Sequence, residues 1–162
     1  MSPLTNQKSV RREDVEIPDN RDLTTQELLL ARWLLQHGSP DAIEFIPQLT
    51  TARVASRCYC GCASINFAID GLIPKSGEGI TILADYEWTD ADGKVFGCFI
   101  FTKSSLLAGL EVWSQDGLAV ADTLPSIDQL QPIGMGQAGE QSQPFDVLAG
   151  PISIVTSSTP AR

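Results

Sequence analysis

The sequence predicts an α+β domain in which an N-terminal helical hairpin packs on one face of a four- to five-stranded antiparallel meander sheet. Two patterns along the chain lead to this prediction. Up to residue 49, apolar side chains recur every three or four residues, which is typical of amphipathic helices. After residue 51 the apolar period becomes two, which is typical of half-buried strands separated by turns. Helices that precede a run of strands favour an α+β arrangement over alternating βαβ units.

The first helix is predicted to begin after Thr24 and to end near His37. Thr24 and Glu27 have the spacing of a capping box, and Gly38 suits the position just after the last turn. The apolar stripe of this helix consists of Leu28, Leu30, Ala31, Leu34 and Leu35.

A second, shorter helix is predicted to follow at once and to complete the hairpin. Ser39 suits its N-cap and Pro40 its first helical position. Pro47 is expected to kink or end it. One face of this helix is apolar and carries Ala42, Phe45, Ile46 and Leu49.

The strands are predicted from the change of the apolar period to two after residue 51. Residues Asp90–Gly93 and Lys103–Ser105 are expected to reverse the chain between strands. The segment 95–101 is apolar on both faces, whereas the others alternate. The predicted strands cover residues 53–58, 63–70, 80–89, 95–101 and 106–113.

Composition divides the 162 residues into an arm, one domain and a tail. Residues 1–22 mix charges with prolines and show little period, so we expect a flexible arm. Residues 23–132 hold the periodic segments of a single domain, and the chain's 43% of hydrophobic residues can form its core. Residues 133–162 are rich in Gly, Gln, Ser and Pro, which predicts a flexible tail.

Charge narrows the classes of partner. The formal net charge is −9, so phosphate backbones are repelled and nucleic-acid binding is not expected. No apolar run approaches the roughly 20 residues that cross a bilayer, and the first residues lack a secretory pattern. We therefore expect a cytoplasmic protein without membrane association, in which thiols are kept reduced.

Three of the four cysteines, Cys58, Cys60 and Cys62, stand at every second position. A zinc site needs sulfurs that converge about 2.3 Å from the metal, whereas alternate positions of one straight strand lie roughly 6–7 Å apart. A turn at Gly61 is therefore required. A two-residue turn over Cys60 and Gly61 keeps both flanking strands in phase and sends Cys58 and Cys62 to opposite faces. A three-residue turn that includes Tyr59 pairs them but puts one strand out of phase.

The fourth cysteine, Cys98, has two possible orientations. A turn over Asp90–Gly93 points it away from the core, and a turn over Ala91–Gly93 points it inward with Phe96 and Ile100. Only the inward register allows it near Cys58. The pattern favours cysteines that pack as small hydrophobic residues, without a cofactor. The alternative is a zinc or thiol-redox site formed by Cys58, Cys60, Cys62 and Cys98.

Other catalytic signals are weak. His37 is the only histidine, and its place at a helix end is explained by capping. Gly134–Gly139 matches G-x-G-x-x-G, but it follows Pro132 rather than a strand and is interpreted as a linker. The sequence names no catalytic residue and favours a role without enzymatic activity.

The apolar strand 95–101 predicts a partner surface. One of its faces is more apolar than the helices can cover, and large side chains lie nearby. We expect Phe96, Ile100 and Trp113 to contact a protein partner or a second copy of the chain.

A resemblance to other proteins indicates how these patterns are arranged along the chain. The segments Ser56–Cys62 and Leu107–Trp113, followed by Asp116-Gly117 and Leu124-Pro125, resemble a group of small uncharacterised bacterial proteins. These share a C-G-C turn, an L-x-G-L-E-V strand and a proline-containing exit. The resemblance covers about residues 24–132 and implies no activity or functional residue.

The sequence therefore predicts a small acidic protein-interaction module, of a regulatory or immunity-like kind, that uses an apolar sheet face. The alternative prediction is a zinc-binding or thiol-redox protein that uses the cluster of Cys58, Cys60 and Cys62.

Overall fold

A computed structural model describes residues 16–75, 77 and 79–133, and it confirms the α+β class. The strands are β1 (Glu16–Asp22), β2 (Ala52–Cys58), β3 (Ile65–Ile69), β4 (Thr81–Thr89), β5 (Val95–Lys103), β6 (Leu106–Ser114) and β7 (Gln131–Pro132). The helices are α1 (Thr25–Gln36) and two 3₁₀ segments, Pro40–Thr50 and Ile127–Gln129.

The seven strands form one sheet in the order β1-β2-β3-β6-β5-β4-β7, and all neighbours are antiparallel. The predicted sheet of four to five strands is therefore too small. Only β4, β5 and β6 form a meander. The connection of residues 70–80 leads from β3 to β4, which lies beyond β6 and β5 in the sheet, so β3 pairs with β6 and not with β4.

The two additional strands are the edges. β1 occupies residues 16–22, which were predicted as part of a flexible arm, and pairs with β2. Its Pro18 is tolerated because an edge strand needs donors on one side only. Residues 1–15 of the predicted arm and residues 134–162 of the predicted tail, including Gly134–Gly139, lie outside the described residues.

Helix α1 begins at the predicted capping box. The Glu27 N–H donates to the Thr24 hydroxyl at 3.2 Å, and the Thr24 N–H donates to the Glu27 carboxylate at 2.7 Å. Arg21 of β1 adds a bidentate ion pair to the same carboxylate, with N–O distances of 2.7 and 2.8 Å. The start of the helix is therefore tied to the edge strand.

The predicted hairpin of two α-helices is not confirmed, because the second segment is a 3₁₀ helix. Pro47 lies inside it and removes a backbone donor, so an uninterrupted α-helical ladder cannot form. Gly38 joins the two segments where the chain crosses β4. A Cβ at Gly38 would overlap the Leu83 carbonyl oxygen, which accepts the Ser39 N–H at 2.7 Å.

The core lies between the helices and one face of the sheet. Its fully buried side chains include Leu34 and Leu35 of α1, Phe67 of β3 and Ile100 of β5. The opposite face of the sheet carries Asn66, Phe99 and Trp113. None of the helices formed by the described residues is long and apolar enough to cross a membrane.

Strand β5 adopts the inward register for Cys98. The Asp90 N–H donates to the Lys94 carbonyl at 2.9 Å, so the turn covers Ala91–Gly93. Cys98 then faces the helices together with Phe96 and Ile100, and all three are buried in the core. Phe96 and Ile100 are therefore not part of an exposed partner surface. Of that predicted set, only Trp113 lies on the opposite face.

Candidate metal centre

A β-bulge in β2 sets the orientation of the first cysteine. Val54 pairs with Phe67 and Ser56 pairs with Asn66, so Ala55 is an extra residue that has no partner in β3. Val54 faces the core, whereas Ser56 and the residues beyond it are shifted by one position. Cys58 therefore reaches the face of the sheet opposite to the helices.

The connection between β2 and β3 is longer than the predicted two-residue turn. The Cys58 N–H donates to the Ser64 carbonyl at 3.3 Å, so residues 59–63 form a five-residue loop that we call the thiol loop. Gly61 in this loop has a φ of +87°, in the left-handed region that favours glycine. The prediction that Cys58 and Cys62 diverge is wrong, because it assumed an unbulged β2.

The thiol loop and Cys58 bring three sulfurs together. The sulfurs of Cys58, Cys60 and Cys62 all lie within 4.8 Å of one another, and those of Cys58 and Cys60 are 2.7 Å apart. All three are free thiols; Cys60 is exposed and the other two are half-buried. This group could hold a metal ion.

Backbone donors orient the sulfurs. The Cys60 N–H donates to the Cys58 sulfur at 3.4 Å, and the Cys62 N–H donates to the Cys60 sulfur at the same distance. Such donors stabilise negative charge on sulfur, as a thiolate ligand requires. The loop backbone is therefore already arranged for thiolates.

Ser64 connects the third sulfur to the centre of the sheet. The Cys62 thiol donates to the Ser64 hydroxyl at 3.3 Å. That hydroxyl donates to the Val112 carbonyl at 3.2 Å and accepts the Val112 N–H at 2.9 Å. Ser64 is buried, so Cys62 is held more firmly than the exposed Cys60.

The pKa values of the two close thiols are shifted in opposite directions. Burial, followed by the hydrogen bond with Cys60, raises the pKa of Cys58 to about 12. Burial opposes ionisation of Cys60 too. Even so, hydrogen bonding with the Cys58 and Cys62 side chains and with the loop N–H groups lowers the pKa of Cys60 below its ordinary value. Of these two thiols, Cys60 is therefore the one that ionises at the lower pH.

Cys98 is separate from this group. Its side chain is fully buried on the helix-facing side of the sheet, whereas Cys58 lies on the other side. Burial, followed by the charge of Asp85, raises the pKa of Cys98 to about 12. The predicted set of four ligands is corrected to three. No other set of three potential metal ligands converges within the part of the chain that the structure describes.

The presence of a histidine at the end of α1 is explained by the structural contacts of His37. Its ring stacks on Trp33 with centroids 4.1 Å apart, and Nδ1 lies 2.8 Å from the Trp33 carbonyl oxygen. Its own carbonyl accepts the Tyr86 hydroxyl at 2.7 Å. These contacts fasten the end of α1 to β4.

The face of the sheet opposite to the helices carries two adjoining cavities of about 460 Å³ each. Glu16, Asn66 and Lys103 line both of them. Cys58 lines the second cavity together with Trp113, whose indole lies over Gly97. The sulfur group thus borders a groove of mixed aromatic and polar lining that sequence analysis did not anticipate.

Comparisons with protein families, with curated proteins and with solved structures find no match for this chain. The resemblance to small bacterial proteins stays a prediction. Function is therefore argued from the geometry of the sulfur group and the groove beside it.

Proposed function

We propose that this protein binds one zinc ion through the thiolates of Cys58, Cys60 and Cys62. The observation that carries the proposal is the convergence of three sulfurs within 4.8 Å on a loop with a defined backbone. Zinc sites with three protein ligands keep a fourth position for water or another molecule. Cys60 is exposed, so that position is accessible from solvent.

Binding requires a small movement of one side chain. Thiolates that share a tetrahedral zinc ion lie about 3.8 Å apart, given a zinc–sulfur distance of about 2.3 Å. The Cys58 and Cys60 sulfurs, at 2.7 Å, must therefore separate by about 1 Å. Rotation of the exposed Cys60 side chain supplies this movement. The Cys62 thiol must also give up the proton that it donates to Ser64 before it can serve as a thiolate ligand.

The test is elemental analysis of protein purified without chelator, with circular dichroism to confirm folding. We expect one zinc ion per chain, and a loss of most of it in Cys58→Ser, Cys60→Ser and Cys62→Ser. Cys98→Ala is the matched control and keeps its zinc. Folded wild-type protein that takes up no zinc from a buffered solution would contradict the proposal.

A second proposal concerns the groove. We propose that a basic protein partner binds the sheet face around Trp113. The support is the net charge of −9, together with the aromatic side chains of Phe99 and Trp113 that line the groove on that face. In this proposal the partner still binds a face of the sheet, but it does not contact Phe96 and Ile100, which are buried in the core.

The partner proposal is tested by capture from host lysate. We expect a basic protein that binds the wild-type chain, is released by salt and is not captured by Trp113→Ala. Capture that is equal for both chains, or insensitive to salt, would refute this surface.

A further inference from the structure

We propose that Cys58 and Cys60 form a dithiol–disulfide couple that reduces small-molecule disulfides, an activity that needs no metal. The two sulfurs are already 2.7 Å apart, and both are free thiols. A disulfide bond is 2.03–2.05 Å long, so bonding requires only a small further approach of the two atoms. The proposal rests on this contact and on the different exposure of the two side chains.

Cys60 is the attacking residue, because it is the exposed member of the group. The other two are half-buried, so an incoming disulfide meets the Cys60 sulfur first. The N–H of Cys62 points at this sulfur at 3.4 Å and stabilises its thiolate. The nucleophile therefore lies at the most accessible point of the thiol loop.

Cys58 is the resolving residue, and Cys62 is not. Cys58 lies directly behind Cys60, at the border of the groove lined by Phe99 and Trp113. The Cys62 thiol is instead engaged by the Ser64 hydroxyl, which is fixed to Val112 of β6. Because Cys62 takes no part in the disulfide, its hydrogen bond with Ser64 is kept.

The reaction balances with the small disulfide as the oxidant. The Cys60 thiolate attacks one sulfur of RSSR, forms a mixed disulfide and releases RS⁻. The Cys58 thiol gives its proton to RS⁻, which leaves as RSH. The Cys58 thiolate then attacks the Cys60 sulfur, and the second R group leaves as RS⁻ and takes the proton that Cys60 originally released. The dithiol is oxidised by two electrons, and RSSR is reduced to two RSH.

This couple and the zinc site use the same sulfurs but exclude each other. A Cys58–Cys60 disulfide removes two of the three ligands, and bound zinc removes both free thiols. The two proposals are separable, because the exchange is measured on metal-free protein. Zinc content and disulfide reduction can fail independently.

The experiment uses metal-free, reduced, full-length protein mixed with hydroxyethyl disulfide. We expect two molecules of mercaptoethanol released per chain and a fall from four titratable thiols to two. The intact mass falls by two hydrogen atoms, and peptide mapping finds a Cys58–Cys60 bond. Cys58→Ser stops at the mixed disulfide on Cys60 and releases one mercaptoethanol instead of two.

Cys98→Ala is the matched control and completes the reaction as the wild type does. Three results would overturn the proposal. The first is folded wild-type protein that keeps all four thiols. The second is a bond that includes Cys62. The third is a Cys60→Ser variant that reacts at the wild-type rate.

Discussion

Replacing Gly61 with alanine tests whether the backbone of the thiol loop is needed for the site. Gly61 has a φ of +87°, and no atom lies within 4 Å of where a Cβ would be. The only cost is therefore conformational, about 1–2 kcal/mol for a side chain in the left-handed region. A stiffer unfolded chain offsets about 0.4–1 kcal/mol of it. Because the metal-free loop can relax around an alanine, we expect the free energy of unfolding of the metal-free protein to fall by less than about 1 kcal/mol.

The same strain should weaken zinc binding. Without metal the loop can relax around an alanine, whereas bound zinc fixes the backbone on both sides of Gly61. If most of the strain returns on binding, the affinity falls about fivefold, the equivalent of about 1 kcal/mol. Urea unfolding measures the stability, and competition with a chromogenic chelator measures the affinity.

Gly117 offers the matched control, since it has a φ of +68° in an open turn outside the thiol loop. Gly117→Ala should lose similar stability and bind zinc with the wild-type affinity. The reasoning fails if Gly61→Ala binds zinc as tightly as wild type does. It also fails if both variants lose affinity equally.

Three further predictions concern the fold that holds the site. Arg21→Gln removes the bidentate ion-pair partner of Glu27, whose side chain is only 9% exposed. Urea unfolding should show that the free energy of unfolding falls by about 2 kcal/mol, which is less than for a fully buried pair because Arg21 itself is partly solvated. A loss below about 0.5 kcal/mol would contradict this. Burial opposes ionisation of Glu27, yet hydrogen bonds from Arg21 and Thr24 lower its pKa. Its contribution to stability is therefore complete above the unfolded-state pKa of about 4.3 and disappears as the pH falls through the lower folded-state pKa. Acid titration of Glu27→Gln should lack that dependence, and identical titrations would refute it. Gly97→Ala places a methyl group in the Trp113 indole and should cost about 1–3 kcal/mol in urea unfolding, whereas an unchanged midpoint would show that the indole moves freely.

Local signals in the sequence were enough to predict the first helix. The capping box of Thr24 and Glu27 forms as expected, and the stripe from Leu30 to Leu35 is buried. These features depend on residues within a few positions of one another. The register of β5 was left open, because a turn of three or four residues fits the same sequence around Asp90.

The edge strands could not be predicted from the sequence. β1 contains Pro18 and several charges, and its pairing depends on β2, which lies beyond both helical segments. Likewise, β7 is only two residues long, Gln131–Pro132, and pairs with β4. Such strands are determined by the sheet that they join more than by their own composition.

The site was mispredicted for a physical reason that is visible in the sequence. The apolar phases on the two sides of Gly61 disagree by one position. A short turn and a β-bulge both remove that disagreement, and a pattern of period two cannot say which one occurs. The chain uses the bulge at Ala55, so the turn is longer than expected and the sulfurs meet.

The bulge at Ala55 also bears on how such a chain can change in evolution. A substitution that makes β2 pair regularly, with Ala55 in the ladder instead of in a bulge, would leave every cysteine and every spacing between cysteines intact. Ser56 and the residues beyond it would then change faces, and Cys58 would turn from the groove toward the helices. Two chains with identical cysteine motifs could therefore differ in whether they have a site at all. A change at the bulge, several residues upstream, is more informative about this chemistry than the cysteine motif itself.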